Sequence, residues 1–147
     1  MTATKEVNIL LVEDDELDVD AATRAFKKAK IANPIITAED GKVALDYLRG
    51  ENGRQRIARP YIVLLDLNMP RMTGLEFLEE VRNDPILTDS IVFVLTTSDA
   101  DRDRWTAYEK HVAGYILKSN VGEGFIQLIS LLDNYWKIVE LPTEQGK

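Results

Sequence analysis

Tyr61-Ile-Val-Leu-Leu-Asp66-Leu-Asn-Met-Pro70-Arg-Met-Thr-Gly74 runs from five successive apolar residues straight into an acid. Ile, Val and Leu without polar alternation suit a strand covered on both faces, as in a parallel sheet. Asn68-Met-Pro70 and Thr73-Gly74 then break the strand and make a tight, exposed connection. The stretch predicts a buried strand that delivers Asp66 to its C-terminal tip, rigidly held and open to solvent. Taken alone, an aspartate there more often caps a loop or helix than carries chemistry.

The rest of the chain changes that balance. Glu13-Asp14-Asp15 follows Asn8-Ile-Leu-Leu-Val12, Thr96-Thr97-Ser98 follows Ile91-Val-Phe-Val-Leu95, and Lys118 follows Tyr115-Ile-Leu117. A further short run, Ile35-Ile36-Thr37, ends in Glu39-Asp40, to which no chemistry is assigned. Helical patterns lie between these runs. Ala22, Ala25, Phe26 and Ala29 form one apolar face of a helix from about Asp15 to Lys30, and Ala44, Leu45 and Leu48 mark another that stops at Gly50. Thr73-x-x-Glu76 is a capping-box pattern for a helix burying Leu75, Leu78 and Val81, ended by Asn83-Asp84-Pro85. Ser98 to His111 is mostly polar, with Trp105 and Tyr108 on one semi-apolar face, and His111 reads as a surface residue of that polar helix. Asn120-x-x-Glu123 opens a last helix with the stripe Phe125, Leu128, Ile129, Leu132 and Trp136.

Five strands alternating with five helices imply an α/β fold, a parallel sheet covered on both faces. Ligands of such folds bind outside the carboxyl ends of the strands, near the point where strand order reverses. Glu13, Asp14, Asp66, Thr96 and Lys118 are all delivered to that edge.

A chain of 147 residues fits one domain and can bury roughly two-thirds of its unfolded surface. The net charge of -7 argues against a nucleic-acid surface, which would match phosphates with Lys and Arg. Arg49, Arg54, Arg56 and Arg59 are the one basic cluster, and the polar stretch Glu51 to Pro60 that holds most of it reads as a solvated loop. The absence of cysteine excludes disulfides, thiol nucleophiles and cysteine-ligated zinc, and fits a reducing compartment. Apolar runs of about five residues fall far short of the ~18 needed to span a membrane, and Met1 to Glu6 has no secretory apolar core. The expectation is a soluble, cytoplasmic protein.

Crowded carboxylates repel: one pair at 4 Å costs about 4 kcal/mol at an effective dielectric near 20. A divalent cation offsets this, and an all-oxygen set of few protein ligands plus water suits Mg2+ rather than a soft metal. A lysine opposite the acids and a threonine hydroxyl between them would stabilise a transferring phosphoryl group, with Asp66 as the attacking oxygen.

Leu11-Val-Glu-Asp-Asp-Glu16, Leu64-Leu-Asp-Leu-Asn-Met-Pro70, Thr73-Gly74, Val94-Leu-Thr96 and Gly114-Tyr-Ile-Leu-Lys118 together resemble the receiver domain of two-component response regulators. The likeness covers nearly the whole chain in order and at the expected spacings. It implies a flavodoxin-like (βα)5 fold of three layers, with a five-stranded parallel sheet in the order 2-1-3-4-5. It implies one receiver domain over residues 1–147, with a core of about 6–138 and an extension over about 139–147. Asp66 would accept a phosphoryl group from a histidine of a sensor kinase. Asp14, Asp66 and the Asn68 carbonyl would hold Mg2+ or Mn2+ directly, and Glu13 through water. Thr96 matches the switch hydroxyl, Tyr115 the switch aromatic and Lys118 the phosphate-contacting lysine. The implied mechanism is a population shift in which the phosphoryl group draws in Thr96 and favours an inward Tyr115.

More narrowly, the long loop before the third strand, Thr96-Thr97-Ser98, Lys118-Ser119 and the ending from Tyr135-Trp136 to Leu141-Pro142 are similar to stand-alone regulators of bacterial phytochrome kinases. That likeness implies a bacteriophytochrome partner and a homodimer built on Trp105, Tyr108, Trp136 and Val139. Its onward step would be transfer to another histidine protein or contact with a target protein. One position departs from the family: Ser119 stands where most receivers have proline, and a non-proline cis bond costs about 2.5–4 kcal/mol, so the loop after Lys118 is expected to be trans and differently shaped.

Rival readings fit less well. A haloacid-dehalogenase-type aspartyl phosphatase needs a second acid where Asn68 stands. A nucleotide or flavin binder needs a phosphate-cradling loop where Glu13-Asp14-Asp15 would repel phosphate. A phosphate-independent receiver-like adaptor has no use for the complete set of acids, threonine and lysine.

Overall fold

A computed structural model describes residues 7–28, 33–67, 72–96 and 111–117. In chain order the elements are β1 (Asn8–Val12), α1 (Glu16–Lys28), β2 (Ile35–Ala38), α2 (Gly41–Arg49), β3 (Tyr61–Asp66), α3 (Gly74–Asn83), β4 (Ile91–Thr96) and β5 (Gly114–Leu117). The strands form one parallel sheet in the order β2-β1-β3-β4-β5. Alternating strand and helix patterns predicted the parallel sheet, and the receiver resemblance implied this flavodoxin-like order. Order reverses between β1 and β3.

Unbroken apolar strands arise because both faces of the sheet are covered. Leu10, Val12, Val63, Leu65, Val92 and Val94 join Ala44, Leu45 and Leu48 of α2 and Phe77, Leu78 and Val81 of α3 in one core. Ile9, Leu11, Ile62, Leu64 and Leu95 join Ala22, Ala25 and Phe26 of α1 in the other. The period of two is present in β1, β3 and β4 but hidden in sequence, since both sets of positions are apolar. All six residues of β3 are buried.

Helix ends are set by local chemistry. The Asp15 carboxylate accepts from the amides of Leu17 (2.8 Å) and Asp18 (3.2 Å) and so caps α1. Asp40 caps α2 through the Val43 amide at 2.9 Å, which gives the Glu39-Asp40 pair its structural role. Gly50 ends α2 with φ of 69°, a left-handed conformation that favours glycine. The Thr73 and Glu76 capping box is present in both directions.

Three expectations change in detail. The inward face of α3 is Phe77, Leu78 and Val81, with Leu75 only partly buried; Phe77 lies closer to the sheet side of the helix. Residues 51–60 are not uniformly solvated. Ile57 is buried, and Arg59 is buried because its guanidinium pairs with Asp89 (2.9 Å), donates to the Ile86 carbonyl (2.8 Å) and lies over the Tyr61 ring. Arg49 bridges α2 to α3 through Asp84 (3.2 Å) and Glu80 (3.4 Å), leaving Arg54 and Arg56 as the exposed members of the basic cluster. His111 is exposed as expected, but it occupies a turn with φ of 59° rather than a helix. Its carbonyl accepts from Arg82, which also donates to the carbonyls of Thr88 and Ser90.

No helix among the described residues is long and apolar enough to cross a membrane. The predicted fourth and fifth helices, Ser119 and the C-terminal extension lie outside the described residues.

Candidate functional site

β1 and β3 are register partners from Asn8 with Tyr61 to Val12 with Leu65. The next residue on each is an acid. Glu13 continues the β1 path, donating its amide to the Ala38 carbonyl of β2 at 2.9 Å. Asp66 is the last residue of β3 and pairs in register with Leu95 of β4. These two acids therefore stand side by side at the carboxyl edge of the sheet, where strand order reverses.

Asp14 completes the group. Glu13, Asp14 and Asp66 each offer a carboxylate oxygen, and these oxygens all lie within 4.8 Å of one another. Asp14 is exposed, whereas Glu13 and Asp66 are each only 3% exposed. Burial of Asp66 corrects the expectation of an acid open to solvent. The strand end is covered because β3 is central, with β1 and β4 on either side, and because α3 begins directly against it.

Backbone contacts hold the acids in place. The Glu13 carboxylate accepts from the amide of Asp15 at 3.1 Å, while Asp15 itself turns to cap α1. Leu67, buried just beyond Asp66, accepts from the Gly74 amide at 3.0 Å, closing the connection into α3. A cation entering between the three oxygens meets an oxygen-only donor set of the kind that suits a hard divalent ion. Two buried carboxylates confront the ion in a medium where water screens their charge weakly.

Other predicted site residues are placed by the backbone. Thr96 ends β4, one residue beyond the register partner of Asp66, and pairs with Leu117 of β5. Tyr115 lies on β5 opposite Val94. Thr96 and the acids thus share one sheet edge. Asn68, Lys118, Trp105, Tyr108, Trp136 and Val139 lie outside the described residues. Sequence reasoning named the acids of the cluster but read Gly74 only as a turn residue. Its closeness to Asp66 has only a faint sequence signal, a glycine at a helix start where alanine would otherwise serve.

Comparison with known proteins agrees with this geometry. The family model for the response regulator receiver domain matches residues 9–130. Response regulator Rcp1 of Synechocystis sp. is 34% identical over 135 residues, covering 91% of this chain and 92% of Rcp1. The phosphorylated cyanobacterial phytochrome response regulator RcpA superposes with a TM-score of 0.83 at 33% identity, across 95% of this chain and 100% of RcpA. The Mn2+-bound form of Rcp1 gives a TM-score of 0.78 at 32% identity, across 93% of this chain and 99% of that one. Homology of this extent makes the chain a signalling protein of the two-component type, related to the phytochrome response regulators, and it belongs to the response regulator receiver domain family.

Proposed function

We propose that this receiver takes a phosphoryl group onto Asp66 from a phosphohistidine of a sensor kinase and changes its protein contacts in response. The observation that carries this reading is the convergence of the Glu13, Asp14 and Asp66 oxygens within 4.8 Å at the switch point of the sheet. An Asp66 oxygen attacks phosphorus as the bond to the histidine nitrogen breaks; the electron pair leaves with the imidazole, which takes a proton from water. Little covalent chemistry is asked of the protein beyond positioning and charge stabilisation.

Mg2+ or Mn2+ fits the donor set, and Glu13, Asp14 and Asp66 would hold it, together with Asn68. When bound, the ion neutralises charge gathering on the phosphoryl oxygens. Lys118 contributes a second positive charge, and the Thr96 hydroxyl donates to a phosphoryl oxygen. Movement of Thr96 favours the inward rotamer of Tyr115 and alters the surface carrying Trp105 and Tyr108.

The similarity to RcpA and Rcp1 supports a phytochrome-type kinase, in bacteria a bacteriophytochrome, as the phosphoryl source. On the same reading residues 1–147 act as one cytoplasmic receiver domain. It pairs as a homodimer through Trp105, Tyr108, Trp136 and Val139, and the phosphoryl group passes on to another histidine protein or alters contact with a target.

The test is a transfer assay from a bacteriophytochrome histidine kinase autophosphorylated with radiolabelled ATP. Label should move to the wild type within minutes and not to Asp66→Ala, and the sedimentation behaviour of the two forms should differ. Label that stays on this kinase and on every other histidine kinase tried would remove the proposal.

A further inference from the structure

Gly74 opens α3 eight residues after Asp66. Its backbone is helical, so it gains nothing there from the freedom of glycine, and at most helix positions alanine is favoured. What requires glycine is proximity. A Cβ built on Gly74 would stand 2.5 Å from Leu67 Cα and 2.6 Å from the Asp66 carbonyl oxygen. Both are backbone atoms, so no rotamer change relieves the clash. Gly41, at the start of α2, differs: a Cβ there meets only the Met72 side chain, at 2.9–3.1 Å. The Gly74 amide also donates to the Leu67 carbonyl at 3.0 Å, so contact and hydrogen bond pull the same way.

We infer that Gly74 is a positioning residue for the acid cluster: the first turn of α3 seats directly on the Asp66–Leu67 backbone and fixes where the Asp66 carboxylate stands relative to Glu13 and Asp14. This rests on the proposed phosphoacceptor role of Asp66. A methyl group at Gly74 needs carbon–carbon separations of about 3.5 Å, which shifts the Asp66–Leu67 backbone or α3 by about 1 Å. Misplacement of that size at a reacting group costs on the order of 100-fold in rate. Coupling is reciprocal: if seating α3 improves cation binding, cation binding must suppress opening of the Gly74–Leu67 hydrogen bond by the same factor.

The experiment compares wild type, Gly74→Ala and Phe77→Leu. Phe77→Leu destabilises the same helix from its buried face while leaving Gly74 without a side chain. Mn2+ affinity is read by loss of the free-ion electron paramagnetic resonance signal, phosphorylation by acetyl phosphate, and folding by thermal melting. Gly74→Ala should bind Mn2+ about tenfold more weakly and accept phosphate about 100-fold more slowly. Phe77→Leu should melt lower yet keep both within twofold. A folded Gly74→Ala matching wild type in both, or a Phe77→Leu impaired as severely, overturns the inference.

If Gly74→Ala does not fold, amide exchange in the wild type decides. Mn2+ is paramagnetic, so Mg2+ is added instead; it should slow exchange of the Gly74 amide about tenfold relative to the Ala44 amide of α2, and equal protection overturns the inference. A wild type that neither binds Mn2+ nor accepts phosphate from any donor refutes the phosphoacceptor reading itself, and this inference with it.

Discussion

Val12 faces Leu65 across the ladder between β1 and β3, and this pairing sets Glu13 beside Asp66. A slip of one residue would turn every side chain of β1 to the other face and bury a different set of positions. Leu10 and Val12 pack toward α2 and α3 while Ile9 and Leu11 pack toward α1, so the register is fixed by two cores at once. The acid cluster is thus a product of core packing.

Asp14 is the exposed member of the cluster, and its charge acts against two buried acids. Asp14→Asn should therefore stabilise the metal-free protein, by about 1 kcal/mol after screening by water, and so raise its melting temperature. The same variant should lose most of the melting-temperature gain that Mg2+ gives the wild type. Calorimetry with chelator and with Mg2+ measures both; a variant less stable than wild type without the ion would contradict the repulsion.

Acid sensitivity should trace partly to Asp84 and Asp46. Burial alone would raise the Asp84 carboxyl, but the Ile86 amide and the Arg49 guanidinium outweigh it and hold it below its ordinary value of 3.8. The Lys42 ammonium, helped by Asn52, lowers Asp46 in the same direction. A depressed folded value means the stabilisation is fully present above the unfolded value and is lost as pH falls through the folded one. Urea midpoints should be flat from neutral pH to about pH 5 and fall below about pH 4. Asp84→Asn should be the less stable protein at pH 7, with a shallower decline in acid. Parallel curves for the two proteins would rule out this role.

Arg82 ties the end of α3 to the amino-terminal side of the sheet through the carbonyls of Thr88, Ser90 and His111. Lysine cannot reproduce that planar fork. Arg82→Lys should cost about 1–2 kcal/mol and Arg82→Met about 2–3 kcal/mol in denaturant unfolding. Neither should alter phosphorylation, since these contacts lie at the opposite edge from the acids. A phosphorylation defect in Arg82→Lys would point to coupling across the sheet.

Much of this was legible in the sequence. The five strands and their order followed from apolar runs alternating with helical periods and from the receiver resemblance, and the acids of the cluster from their place after β1 and β3. Asp15 announced the start of α1 and Thr73-x-x-Glu76 the start of α3, because caps are local and written in adjacent residues. Longer-range facts were not legible. Arg59 is buried only because Asp89 and Ile86 come from a distant part of the chain to meet it. Asp66 is covered by a helix start whose approach depends on Gly74 having no side chain, and no periodicity encodes that distance. Phe77 rather than Leu75 faces the sheet, a choice set by how α3 is rotated on the strands.

Intact-mass spectrometry after treatment with acetyl phosphate and Mg2+ tests the central claim most directly. Wild type should gain one phosphoryl group that is labile to base and to hydroxylamine, and Asp66→Asn or omission of the metal should abolish the gain. An equal gain in Asp66→Asn would place the modification elsewhere. No gain in the wild type from acetyl phosphate or from histidine kinases would contradict phosphoryl acceptance at Asp66.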